Sequence, residues 1–419
     1  MDTLIFNARV MQPGEGLVGT WLRIRDGKIF EFGTCPPDSA CEGEDRIDAG
    51  RRLLTPGLID LHTHGICEHA YEAGPGDLVK GLREAPRFGS TCILPTLCEM
   101  VIPGRLDRLA ELAAALDKVD SVAVPGFHFE GPFVVHAGAG LKTLPGDVGL
   151  LYSLVKACDG RMAAMSLSPD TENVLPVIKR LHAMRIPIFM THTSANVEQT
   201  QAAIEAGARH ATHFYNVFFL PEEKEMGLRP VGAVETILAD PRCTVDFICD
   251  GIHVHPMAVK SALAAKGAEG VALITDSNIG AGMPAGVYQT PLAGQVRVSP
   301  EDAARIDEPG HKNFGCLAGS SLTMDRGISN LMYWLDLPEA EVWAMATRTP
   351  ARILGLPDKG VIRVGADADL VLWTEESKEV EGKKQKGTKG TKVEYRALRT
   401  WVGGRCVFAR DRETAGTFS

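Results

Sequence analysis

Eight β-forming runs, most of them separated by stretches of helical periodicity, constrain this chain more than any other feature. They are LIDLHTHG (58–65), TCILPTL (91–97), VPGFHFEG (124–131), MAAMSLSPD (162–170), IPIFMTHT (186–193), HATHFYN (210–216), TVDFICDG (244–251) and VALITD (271–276). Strands covered on both faces read as near-continuous apolar runs, and strand–helix alternation implies a parallel sheet. Eight such units predict an α/β fold, a (β/α)8 TIM-type barrel in which loops at the C-terminal ends of the strands build the site. Six of the runs end in a histidine or carboxylate: His62 and His64, Glu130, His192, His213, the pair Asp250/His253, and Asp276. A closed barrel brings them to one mouth.

The two ends of the chain differ from its middle. TLIFNARVM, TWLRIRDGKIFEFG and RIDAGRRLLTP, all within 1–55, alternate apolar and polar residues around Gly and Asp turns, the pattern of short antiparallel strands. GVIRVGADADLVLW (360–373) and YRALRTWVGGRCVFA (395–409) answer in kind. Neither end has enough strands to bury an apolar face alone, so they predict one small β-sandwich assembled from both termini. The expected division is 1–55 and 360–419 for the sandwich and 56–359 for the barrel.

Helical spacing predicts helices over 104–119, 197–208 and 256–267. A further helix is expected over 320–337, with its first serine as cap, and another over 338–355, ending on Gly355. Two segments read as insertions. Residues 289–315 suggest a short hairpin or lid over the mouth. The Lys- and Gly-rich stretch 377–396 suggests a solvated, mobile surface turn, with polyanion binding as the weaker alternative.

A formal net charge of −9 argues against a nucleic-acid or anionic-membrane partner, since both need a basic face. Ten cysteines show no CxxC pair or framework spacing and read as free thiols. No secretory signal is evident, and no apolar run approaches the roughly 18–20 residues that span a bilayer. The expectation is a cytoplasmic, soluble protein.

The histidines and carboxylates suggest a metal centre. In HTH, His62 and His64 stand at i and i+2, on one side of a strand. Imidazole and carboxylate are common ligands of divalent ions. His192 or His213 alone would more often be a packing or capping residue, but both close successive strands. Glu130 follows an apolar run, where a carboxylate is costly unless exposed, paired or bound to metal. His128, two residues before it, reads as a partner of the site or as packing. Asp276 reads either as a turn cap or as the carboxylate that takes a proton from water.

These residues resemble the amidohydrolase superfamily and, more narrowly, the N-acetylglucosamine-6-phosphate deacetylase family. The resemblance covers nearly the whole chain. It runs through TPGLIDLHTHG (55–65), LPT (94–96), GFHFEGPF (126–133), THTSA (191–195), THFYN (212–216), DGIHV (250–254), ITDS (274–277), LAGSSLTM (317–324) and ATRTPARILG (346–355). It implies amide hydrolysis with one or two divalent ions, zinc first, iron or another ion as alternatives. Glu130, His192 and His213 match the family's principal metal site, and His62 and His64 the second. Asp276 matches the general base and acid, also set among the metal ligands, and His253 the residue that contacts the sugar and helps polarise the amide. Asn216, Val217 and Leu317 fall in segments that meet the substrate. Arg229 matches a basic residue that reaches the phosphate, in relatives from the neighbouring subunit of a dimer, so a homodimer acting on an N-acetyl amino sugar is implied.

The chain departs from the family at 133–147, FVVHAGAGLKTLPGD, where relatives usually carry a Gly-Ala-His segment that helps hold the phosphate. Lys142 and His136 are the cations present there, and lysine binds as a flexible point charge. Val217 and Phe218 suggest a bulkier pocket. Two alternatives stay open: an amidohydrolase of another N-acyl or cyclic amide, such as an N-acyl amino acid, and a non-catalytic oligomeric scaffold. MSLSPD (165–170) offers no lysine for the carbamate bridge of many such hydrolases, which favours Glu130 as the bridging carboxylate.

Overall fold

A computed structural model describes residues 2–35, 43–138, 141–222, 225–290, 294–299, 302–381 and 389–410. All eight predicted runs are strands of one parallel sheet: Leu58–Thr63, Ser90–Leu97, Phe127–Glu130, Met162–Leu167, Ile188–Met190, His210–Ala211, Thr244–Ile248 and Val271–Ile274. Each pairs with its neighbours in chain order. The seam between last and first is joined by a parallel bridge between Thr63 and Ser277 and by the N–H of Asp276 donating to the carbonyl of His62. Helices cover the outside. Phe127, Phe129, Phe189, Phe214 and Phe247 are fully buried, each contributing about 1.5–3 kcal/mol of hydrophobic stabilisation.

Local signals set the helix ends. Val197–Ala206 starts at a reciprocal capping box, with Asn196 accepting from the N–H of Gln199 and the Gln199 side chain accepting from Asn196. Asp147 caps Val148–Ala157 by accepting from Gly149 and Leu150. Such caps satisfy N–H groups that a helix leaves orphaned.

Several expectations are corrected. Ser320 caps no helix: its hydroxyl donates to the carbonyl of Thr275, tying it to the last barrel strand, and the helix runs Met324–Trp334. The segment 338–355 is two short helices, Glu339–Met345 and Arg348–Ile353. Pro350 has no N–H to continue the first helix across Ala346. The charged stretch 377–396 is largely strand, because Leu370–Glu381 and Lys389–Val402 form a long antiparallel hairpin whose central residues, 382–388, lie outside the described residues. Opposite charges meet across it, Lys378 with Glu394 at 2.5 Å and Arg396 with Glu376 at 3.8 Å. Cross-strand pairing, absent from any single-strand pattern, makes this charge run a sheet.

Both chain ends do share a sheet. Its six strands run in the order Arg405–Ala409, Lys389–Val402, Leu370–Glu381, Leu53–Pro56, Arg9–Gln12, Gly16–Gly19. A four-stranded sheet lies beside it, and Ile5, Val10, Leu22, Leu54, Leu372 and Trp401 form a joint core. The N-terminal strands are not all antiparallel as expected. Thr3–Phe6 pairs in parallel with Asp45–Asp48, and Arg9–Gln12 with Leu53–Pro56. The long excursion between the members of each pair permits the crossover that parallel pairing needs. The 289–315 insertion forms most of a three-stranded antiparallel unit that begins before it, Gly286–Thr290, Gly294–Ser299 and Asp302–Ile306, with a core of Val296, Val298, Ala304, Ile306 and Ala318.

Candidate active site

The strand ends converge as predicted, on Glu130. Its Oε1 lies 3.1 Å from Nε2 of His213 and 3.2 Å from Nε2 of His192. Its Oε2 lies 3.2 Å from Nε2 of His64 and 3.7 Å from Nε2 of His62. One carboxylate therefore stands between two histidine pairs. Asp276 Oδ1 completes the second side, at 3.4 Å from His64 and 3.6 Å from His62.

The opposite ring nitrogens are also engaged. His192 Nδ1 meets the carbonyl oxygen of His136 at 2.7 Å, and His213 Nδ1 that of Asn216 at 3.2 Å. A carbonyl only accepts, so each ring carries a proton on Nδ1 and turns Nε2 to the centre, where it becomes a ligand atom once its own proton is lost. His62 Nδ1 faces the Thr212 hydroxyl at 3.0 Å. His128 does not join them. Its Nδ1–H donates to the carbonyl of Leu61, its Nε2 meets the Ser166 hydroxyl, and its ring packs edge-on against His62. Burial holds it well below the usual imidazole range, hence neutral.

Backbone strain marks the same places. His192, His213 and Asp276 adopt φ of 49°, 35° and 47°. Left-handed backbone at residues other than glycine costs about 1–3 kcal/mol each and clusters at functional sites. Here it turns each side chain inward just past its strand.

Burial opposes the charge of Glu130, but the imidazoles of His62, His192 and His213 outweigh it and hold the carboxyl well below its usual range. Asp276 is likewise lowered against its burial by His62 and His64. Burial disfavours the His213 imidazolium, yet its bond to Glu130 raises it to about 9. Anions and imidazoles packed this closely fit a divalent cation, which would replace the imidazole protons. The ligand atoms support the fit: His62, His64 and Glu130 form one group lying within 4.8 Å of one another, and Glu130, His192 and His213 another.

A cavity of about 630 Å³ opens above this centre, a size that suits a small polar metabolite. His253, Asn216, Val217 and Leu317 line it. His253 Nδ1 bonds Asp250 Oδ2 at 2.6 Å, and Asp250 also accepts the N–H groups of Ile252 and His253. The cations expected at 133–147 sit elsewhere. Lys142 is exposed and not among the lining residues, while His136 bonds Ser194 and packs on Phe219. Arg229 is 79% exposed beside Glu235 and lines no part of this chain's cavity. Sequence reasoning missed Arg305 and His311, which do line it, from the inserted unit. Asp302 accepts from Nε and Nη2 of Arg305 at 2.6 and 3.0 Å, and the carbonyl of Gly315 accepts from Nη1 at 3.1 Å. Two of its five N–H groups are left over. The only signal in the sequence was that the insertion follows the last barrel strand.

The amidohydrolase family model matches residues 53–407. N-acetylglucosamine-6-phosphate deacetylase of Vibrio furnissii is 30% identical over 391 residues, covering 91% of this chain and 90% of that protein. The enzyme of that name from Bacillus subtilis is 31% identical, with 88% and 92% covered. An N-acetylgalactosamine-6-phosphate deacetylase from a Shewanella species is 32% identical, with 97% and 96% covered. Among solved structures, a mutant N-acetyl-D-glucosamine-6-phosphate deacetylase from Mycobacterium smegmatis, in complex with N-acetyl-D-glucosamine 6-phosphate, superposes with a TM-score of 0.78 at 25% identity, with 97% and 100% covered. This chain belongs to the amidohydrolase family and, within it, to the N-acetylglucosamine-6-phosphate deacetylases, hydrolases of carbon–nitrogen amide bonds.

Proposed function

We propose that this enzyme hydrolyses the acetamide of N-acetylglucosamine 6-phosphate, giving acetate and the amino sugar phosphate. The observation that carries the reading is Glu130 set between two histidine pairs, with Asp276 beside it, at the floor of a sugar-sized cavity. Glu130, His192 and His213 would hold one divalent ion, and His62, His64 and Asp276 a second against the other Glu130 oxygen. A bound ion, zinc in our reading with iron or another divalent ion as the alternative, supplies Lewis acidity toward the acetyl carbonyl and acidifies water.

The remaining steps belong to the chain. Asp276 is held as a carboxylate by its imidazole neighbours, so it can accept the proton of the attacking water. It then returns that proton to the departing nitrogen as the carbon–nitrogen bond breaks. His253 donates Nδ1–H to Asp250, which turns Nε2 to the cavity as an acceptor for a sugar hydroxyl. Asn216, Val217 and Leu317 shape the sugar's surroundings. Arg305, with His311, offers the phosphate a cation from the same chain.

A homodimer is part of this reading. Residues flanking Arg229 carry exposed apolar side chains: Phe219, Leu220, Met226, Leu228 and Val231. Apolar surface of this kind marks contacts between proteins, and a partner seated there is how Arg229, with Lys142 or His136, would approach a phosphate. A reducing, cytoplasmic setting is also proposed, since all nine cysteines among the described residues are free. No described helix is long and apolar enough to cross a membrane.

A second reading, the galacto epimer as substrate, is favoured by the 32% identity to the Shewanella protein over 97% of this chain. Acetate release by metal-reconstituted enzyme tests both. The panel is the gluco and galacto 6-phosphates, both unphosphorylated sugars and an N-acetyl amino acid. Fastest turnover of the gluco phosphate is expected. Preference for the galacto phosphate establishes the second reading, and turnover of the amino acid alone removes both.

A further inference from the structure

A second group of ligand-type side chains shares His64 with the centre, and its other two members, Cys98 and Glu72, have no part in the chemistry above. Cys98 is the first residue after the strand Ser90–Leu97. That strand pairs with Leu58–Thr63, with Pro95 opposite Thr63, so Cys98 emerges at the mouth beside His64. Ligand atoms of His64, Cys98 and Glu72 lie within 4.8 Å of one another, and all three residues line the cavity.

Glu72 fixes this arrangement. It is 4% exposed, and its Oε1 accepts the N–H groups of Glu99 and Met100, each at 2.8 Å. The N–H of Cys98 reaches both carboxylate oxygens at 3.1 Å, and the thiol donates to Oε2 at 3.3 Å. Three backbone donors thus pin the turn that carries the sulfur. The thiol has no part in the apolar packing that normally accounts for a buried cysteine. Its neighbours are an imidazole and a carboxylate.

We propose that Cys98 is a metal ligand: its Sγ, His64 and the Glu72 carboxylate form a mixed imidazole–thiolate site on the flank of the centre, sharing His64 with it. Zinc–sulfur and zinc–nitrogen bonds of about 2.3 and 2.1 Å set donors in a tetrahedral site about 3.5 Å apart, within the spread of this group. As the metal–sulfur bond forms, the thiol proton passes to solvent. Thiolate donors favour soft and borderline ions such as zinc over magnesium or calcium. The proposal rests on the metal centre described above and is independent of the substrate.

Cobalt(II) titrated into the full-length, metal-stripped enzyme tests it, read by absorption rather than turnover. Wild type and Cys316→Ser, which removes the other cavity thiol, are expected to show a near-ultraviolet thiolate-to-cobalt charge-transfer band as the His64/Glu72/Cys98 group fills. Cys98→Ser should lack that band while keeping the visible ligand-field bands of the Glu130/His192/His213 ion. Ligand-field bands in wild type without charge transfer would overturn the thiolate and leave the metal centre standing. A band that persists in Cys98→Ser also overturns it. No cobalt bands of either kind would remove both readings. The wild-type spectrum decides even if the serine variant folds poorly.

Discussion

The backbone N–H of Asp276 donates to the carbonyl oxygen of His62 at 2.8 Å, across the seam where the last barrel strand meets the first. Closure of the fold and assembly of the site are therefore one event. The bond that joins the seam also sets the Asp276 carboxylate 3.6 Å from the His62 ring.

Asp276→Asn keeps the shape of the side chain and its place on the seam while removing the charge. Metal content measured by mass spectrometry should fall by no more than the one ion that Asp276 helps hold, with the Glu130/His192/His213 ion kept, and kcat should fall roughly 10²–10⁴-fold, the range for a lost general acid–base. A kcat within a few-fold of wild type would strip Asp276 of that role.

Arg305→Ala separates a phosphate partner within the chain from one supplied by a neighbour. Losing a charge-assisted bond of about 1.5–3 kcal/mol should lower kcat/KM for the phosphorylated sugar roughly 10–100-fold and leave the unphosphorylated sugar unchanged. Arg229→Ala is the companion variant. If only Arg229→Ala discriminates between the two sugars, the phosphate is held from across a dimer.

Gly138 reaches His192 closely. A Cβ there would lie 2.5 Å from its Cε1, and the backbone sits at φ 51°, where L side chains are strained. Gly138→Ala should push the imidazole off its bond to the His136 carbonyl. Expected are a thermal destabilisation of about 1–3 kcal/mol and weaker metal retention on dialysis, neither of which a free loop would produce.

Asp325, buried on the helix Met324–Trp334, has its carboxyl raised by burial to about 6, against the lowering effect of the Thr323 hydroxyl. A raised folded pKa means its contribution is full below the unfolded value and is lost as pH rises through about 6. Asp325→Asn keeps an oxygen for Thr323 and Arg326 and escapes this loss. Its stability relative to wild type should therefore improve between pH 5 and pH 8, by about 1.4 kcal/mol. Thermal melts of both proteins at the two pH values check it, and a difference that does not change with pH would contradict the assignment.

The barrel was legible because parallel strands buried on both faces leave continuous apolar runs, and the polar residues ending those runs stand out. His192 and His213 are persuasive as a pair for that reason. The stretch 377–396 was opaque, because strand formation there depends on a partner strand and on opposite charges placed across it. Ser320 misled for a related cause. A serine before a helical pattern looks like a cap, and only its distance to Thr275 shows that it serves the last barrel strand instead.

By itself the sequence determined the strand count, the order of the units and the residue types at their ends, since these follow from periodicity and from the cost of burying polar groups. The tertiary structure decided which nitrogen each histidine presents, that Glu130 divides its two oxygens between two histidine pairs, and that the cavity's cation comes from Arg305 in the insertion. Those outcomes depend on through-space distances between residues far apart in the chain, which no local pattern encodes.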